Sequence, residues 1–136
     1  MQLSGVRGGA AAGSGRPGDG RWKDGGVSTP QIPQVTVAEV PADAVLLDVR
    51  EDDEWTAGHA PGAVHVPMTT LAERLDQVPD GDPVYVICRS GGRSARVTAY
   101  LNSQGWESVN VAGGMSVWAA SGRPLVAERD AAPQVI

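Results

Sequence analysis

Val84-Tyr-Val-Ile-Cys-Arg-Ser-Gly-Gly-Arg-Ser94 opens on four strand-forming residues and then breaks into a cysteine, a cation and a glycine pair. With Pro83 ahead of it, the apolar run has the length and composition of a buried central strand. Cys88 follows at the strand's carboxyl end, where open α/β sheets place their ligands. Gly91 and Gly92 supply the backbone freedom for a sharp turn into a helix, read over 93–103. A loop curled about the sulfur would aim its N–H groups inward as an anion nest, and the next helix would add its own N-terminal donors and dipole. Such surroundings bring a cysteine from about 8.5 to roughly 3.5–7.5. Each unit of that shift is about 1.36 kcal/mol in favour of the thiolate.

Outward from this segment the pattern alternates between strand and helix. Strands are read at 35–37, 44–49, 63–66, 83–87 and 108–111, and helices at 52–57, 93–103 and 115–119. Met68, Leu71, Leu75 and Val78 recur at helical spacing, with Thr70-x-x-Glu73 as a capping box, so an amphipathic helix is expected there. Thr36-x-x-Glu39 offers a second box for a single helical turn. The sum is an α/β domain, a mainly parallel sheet of about five strands with helices on both faces.

Nine of the 18 glycines fall within the first 26 of 136 residues, before any sustained apolar run. Residues 1–33 are therefore expected as a disordered glycine-rich leader, 34–128 as the folded domain and 129–136 as a flexible tail. No apolar run reaches the roughly 18 residues of a membrane span, and the leader lacks the apolar core of a signal peptide. A single cysteine excludes an internal disulfide framework, and with only two separated histidines a metal site is not expected. These features fit a reducing, cytoplasmic setting and a monomer. The net charge of −5 argues against nucleic acid as a partner. Yet no acid occurs from Pro83 to Trp106, where Arg89, Arg93 and Arg96 follow the cysteine, so this acidic chain is locally suited to an anion.

Cys88-Arg-Ser-Gly-Gly-Arg93 resembles the six-residue active-site loop of rhodanese-like sulfurtransferases, in the C-R-x-G-x-R form of thiosulfate-using members. Leu46-Leu-Asp-Val-Arg-Glu51, Glu54-Trp55 and Gly58-His-Ala-Pro-Gly-Ala63 resemble the family's upstream signature. Gly105-Trp106, Val109, Gly113-Gly114 and Trp118 resemble its downstream one. Trp55 and Trp106 stand where the family more often has Phe or Tyr. The resemblance implies a rhodanese-like three-layer fold and a reaction with no metal or organic cofactor. Cys88 would take a sulfane sulfur from thiosulfate as a persulfide and pass it to cyanide, a cellular thiol or a protein acceptor. Arg89, Ser90, Gly91, Gly92, Arg93 and Ser94 would hold the donor and the persulfide, with Arg93 the first choice for the donor. Mercaptopyruvate-type loops more often read C-G-S-G-V-T, with fewer charges, so thiosulfate is the donor expected.

Asp48 and Arg50 are read as an ion pair supporting the loop, His59 as a turn-stabilising residue and His65 as a structural histidine. Two other functions are open to such a chain. A carrier or docking module of the same fold would deliver persulfide sulfur to a protein partner, or bind one. A cysteine phosphatase or arsenate reductase also cradles a cysteine before a helix, but the phosphatase loop wants C-x5-R. Here that position holds Ser94, and Arg93 arrives one residue early.

Overall fold

The computed structural model describes residues 32–136. The expected leader, 1–33, lies outside the described residues except for its last two. Five parallel strands form one sheet in the order β1-β5-β4-β2-β3, where β1 is Gln34–Thr36, β2 Val45–Asp48, β3 Val64–His65, β4 Val84–Ile87 and β5 Ser108–Ala112. In register, Asp48 stands beside Ile87 and Val86 beside Asn110. The order reverses between β2 and β4, so the carboxyl ends of these neighbours flank the crevice in which doubly wound sheets bind ligands. Cys88 is the first residue past β4 on that edge.

Alternation along β2 and β4 divides the apolar side chains between two cores. Leu47, Val49, Val84, Val86 and Cys88 face one way and pack with Val97 and Leu101 of α2 (Gly92–Ser103). Leu46 and Ile87 face the other way and pack with Val37, Val111, and Met115 and Trp118 of α3 (Gly114–Ala120). Helix α1 (Asp52–Ala57) follows β2 and stands near the crevice. Glu39 accepts the Thr36 backbone N–H at 2.8 Å, as its box predicts, and starts a single 3-10 turn.

One element differs in kind from its sequence reading. Met68–Glu73 and Leu75–Gln77 are two 3-10 segments broken at Arg74, and the 68–78 stretch forms no α-helix. Pro67 and Pro79 bracket the stretch and bias their neighbours away from α, while Thr69 and Thr70 lose side-chain freedom in a helix. Thr70 Oγ1 donates to Pro67 O at 3.4 Å and makes no box with Glu73. The apolar spacing still works: Leu71 and Val78 are buried in the first core, with Met68 and Leu75 packed against it.

The end of the expected domain, through Glu128, bonds back to the fold, as does Gln134 within the expected tail, 129–136. His59 and Val126 exchange backbone bonds at 2.8 and 2.9 Å, Glu128 N–H donates to Thr56 O at 3.0 Å and Gln134 N–H to Ala57 O at 2.9 Å. Among the described residues no helix is long and apolar enough to cross a membrane.

Candidate active site

The Cys88 side chain is only 1% exposed and forms the floor of its loop. Gly91 N–H donates to Sγ at 3.1 Å, Ser94 N–H at 3.4 Å, and the Ser94 hydroxyl lies 3.3 Å away. Gly91 caps α2 with φ +112°, a left-handed conformation that turns its own N–H back toward the sulfur. The twelve-residue α2 therefore begins against Sγ and directs its free donors there. Burial pushes the Cys88 thiol up, but the Ser94 hydroxyl and the N–H groups of Ser94, Gly91 and Ser90 outweigh it, so the net shift is downward. The geometry thus favours the thiolate more than an ordinary thiol's surroundings do.

The loop's carbonyls are satisfied from the other side. Met115 N–H donates to Cys88 O at 2.8 Å and Ser116 N–H to Arg89 O at 2.9 Å, so the first turn of α3 seals the loop's outer face. This close approach requires Gly114, whose φ is +56° and where an added Cβ would collide with Cys88 O and Arg89 O.

Ser94 makes two contacts with one hydroxyl proton. Its Oγ lies 2.5 Å from Asn110 Oδ1 as well as 3.3 Å from Sγ, and Asn110 Nδ2 in turn donates to Gln34 Oε1 at 2.9 Å. Serine cannot donate to both acceptors at once, so a donation to sulfur requires the Asn110 amide to present its NH2 group to Ser94. Asn110 is 1% exposed and is joined to the site by this contact. The sequence reading missed it, because an Asn inside the β5 pattern carries no chemical signature.

The expected donor-binding residues part company. Arg89 and Ser90 are exposed at the mouth, as is Gly92 at the start of α2. Arg93 instead makes a two-pronged ion pair with Glu54 of α1, Nη1 to Oε1 and Nη2 to Oε2, both at 2.8 Å. The Arg93 hydrogen bonds hold the Glu54 carboxyl below the usual range; burial opposes this, and the Glu51 N–H and the charges of Arg93 and Arg50 add to it. The bond to Glu54 raises Arg93 further, burial opposes it, and the Glu54, Cys88 and Glu51 charges reinforce the rise. Arg96 points to solvent.

Asp48 and Arg50 do form a buried pair, Arg50 Nε to Oδ1 at 3.0 Å and Nη2 to Oδ2 at 2.8 Å. The guanidinium's remaining bond runs to Gly58 O at 2.8 Å, so the pair ties β2 to the end of α1. Its Nη1 is buried with no hydrogen-bond partner among the described residues. Trp55 stacks between His59 and His65, with centroids at 3.4 and 4.6 Å. His59 Nδ1 faces Ala60 O at 2.9 Å and Nε2 faces Glu128 at 2.8 Å, while His65 Nε2 donates to Arg50 O at 2.7 Å. Both histidines hold backbone and tail in place. Among the described residues no group of three His, Cys, Asp or Glu side chains could hold a metal ion.

The chain is similar to known proteins in sequence and in fold. The Rhodanese-like domain family model matches residues 36–121. YtwF of Bacillus subtilis is 45% identical over 87 residues, 63% of this chain and 84% of its own length. A sulfurtransferase of Allochromatium vinosum is 40% identical over 86 residues, 62% of this chain and 80% of its own. The crystal structure of a rhodanese-related protein from Thermoplasma volcanium superposes with a TM-score of 0.65 at 29% identity, covering 69% of this chain and 97% of that one. With the family model spanning more than half of it, and a parallel sheet that delivers Cys88 to a donor-lined loop, this chain belongs to the rhodanese-like domain family.

Proposed function

We propose that this protein is a thiosulfate sulfurtransferase and that Cys88 is its nucleophile. The observation that carries the reading is the pair of backbone N–H donors on Sγ, from Gly91 and Ser94, with the Ser94 hydroxyl 3.3 Å away, at the mouth of a parallel sheet. The Cys88 thiolate attacks the outer sulfur of thiosulfate. A new S–S bond forms to Cys88, the bond to the sulfonate sulfur breaks, and its electron pair leaves with sulfite. The product is a Cys88 persulfide whose terminal sulfur inherits the negative charge and the loop's N–H donors. Cyanide or a thiolate then attacks that terminal sulfur, and the electron pair of the broken S–S bond returns to Cys88. Each half-reaction conserves charge and needs one thiol.

Arg89, exposed at the mouth, draws the anion in, and Arg93, paired with Glu54, lies behind it. Ser90 and Gly92 contribute loop backbone, while Asp48 and Arg50 hold the corner from which α1 reaches the loop. The test is thiocyanate formation from thiosulfate and cyanide. The wild type should turn over and Cys88→Ser should fall to background. An unaffected Cys88→Ser would overturn the reading.

A further inference from the structure

Arg93 is placed to meet an anionic donor, yet its fork is already filled. Both prongs are occupied by Glu54 oxygens at 2.8 Å, a fork-to-fork arrangement that two oxygens of a sulfonate would also adopt. Glu54 is fixed in its turn, since its Oε1 also accepts the Glu51 N–H at 2.9 Å in the capping box that starts α1. The pair sits at the rim with side chains 31% and 13% exposed, open enough for a ligand to compete and sheltered enough for the contact to count. Its effect on local charge is large. Arg50 is neutralised by Asp48, Arg93 by Glu54, and α1 presents Glu51, Asp52 and Asp53 beside them. Arg89 and Arg96 remain as cations of this region, both exposed.

We propose that Glu54 is a specificity-determining positioning residue, whose carboxylate occupies the Arg93 seat that an anionic sulfur donor needs, so that such a donor gains Arg93 only by displacing Glu54. Glu54 touches neither the sulfur nor the donor and acts through Arg93. The inference rests on the sulfurtransferase reading for its meaning in catalysis, but the charge competition at Cys88 can be measured without turnover. Iodoacetate and iodoacetamide alkylate the same thiolate and differ by one negative charge, so the ratio of their rates reports how well an anion is received beside Cys88.

In Glu54→Gln the amide keeps an acceptor for Arg93 and the Glu51 N–H but loses the charge. The iodoacetate-to-iodoacetamide ratio should rise about three- to ten-fold, the worth of a partly sheltered ion pair. KM for thiosulfate should fall in similar proportion, with the change in KM rather than in kcat. Glu54→Asp keeps the charge and should keep the wild-type ratio. In an Arg93→Gln background the Glu54 substitution should no longer move the ratio. An unchanged ratio in Glu54→Gln, an equal rise in Glu54→Asp, or the same rise without Arg93 would overturn the inference. A wild type that shows the alkylation pattern but makes no thiocyanate would overturn the sulfurtransferase reading and leave the anion competition standing.

Discussion

Cys88 is buried among aliphatic residues of the first core, where a free thiol ordinarily titrates high. Its downward shift depends on a few named donors, so it can be dismantled one at a time. The pH midpoint of iodoacetamide alkylation should lie below the roughly 8.5 of an ordinary thiol. Ser94→Ala should move it up by about one unit, the value of one hydrogen bond to a charged acceptor. An unmoved midpoint would show that the backbone alone holds the thiolate. Glu54 carries the opposite experiment. Its folded pKa is lowered, so its contribution to stability is present above the unfolded carboxyl value, about 4.3, and is lost as pH falls through the lower folded value. The stability gap between wild type and Glu54→Gln should therefore be full at neutral pH and close in acid; denaturant titrations at several pH values measure it. The cysteine and its loop were legible in the sequence because strand, thiol, glycines and arginines follow one another within eleven residues. The Arg93–Glu54 pair was not, since 39 positions separate partners that only the β2–β4 pairing brings together.

At the scale of elements, the loop exists because two helix N-termini grip it from opposite sides. α2 takes the sulfur and α3 takes the carbonyls of Cys88 and Arg89. Gly114→Ala would place a methyl group against those carbonyls at a positive φ, and should cost about 1–3 kcal/mol while spoiling the cradle. Thermal melting and thiocyanate formation in this variant should therefore both fall. The strands were readable from runs such as Val84–Ile87 because a sheet covered on both faces needs apolar residues at every position. The 68–78 stretch shows where periodicity stops informing. Residues three apart share a face in either helix type, and the one four-residue step, Leu71 to Leu75, crosses the break at Arg74. Flanking prolines disfavour the α form.

Across the whole molecule, the corner that carries α1 is stabilised by contacts distant in sequence. Asp48 and Arg50 lie wholly inside, tied to Gly58, and Glu128 closes on His59 from the C-terminal segment. Breaking a buried pair leaves one charge unpaired, so Asp48→Asn should destabilise the fold by about 3–5 kcal/mol, measurable by denaturant unfolding. Truncation after Leu125 removes the His59–Val126 bridge and Glu128, and should lower Tm by roughly 4–8 °C for each kcal/mol lost. The composition of the tail, 129–136, is that of a loose end, yet Gln134 donates to Ala57 O and lies against Gly58.

The most direct test of the whole account is the intact mass of the protein after exposure to thiosulfate and removal of excess donor. Wild type should gain the mass of one sulfur atom and lose it on addition of cyanide, while Cys88→Ser should gain nothing. A wild type that gains no sulfur, or a Cys88→Ser variant that gains as much, would contradict the assignment of this loop as a persulfide cradle.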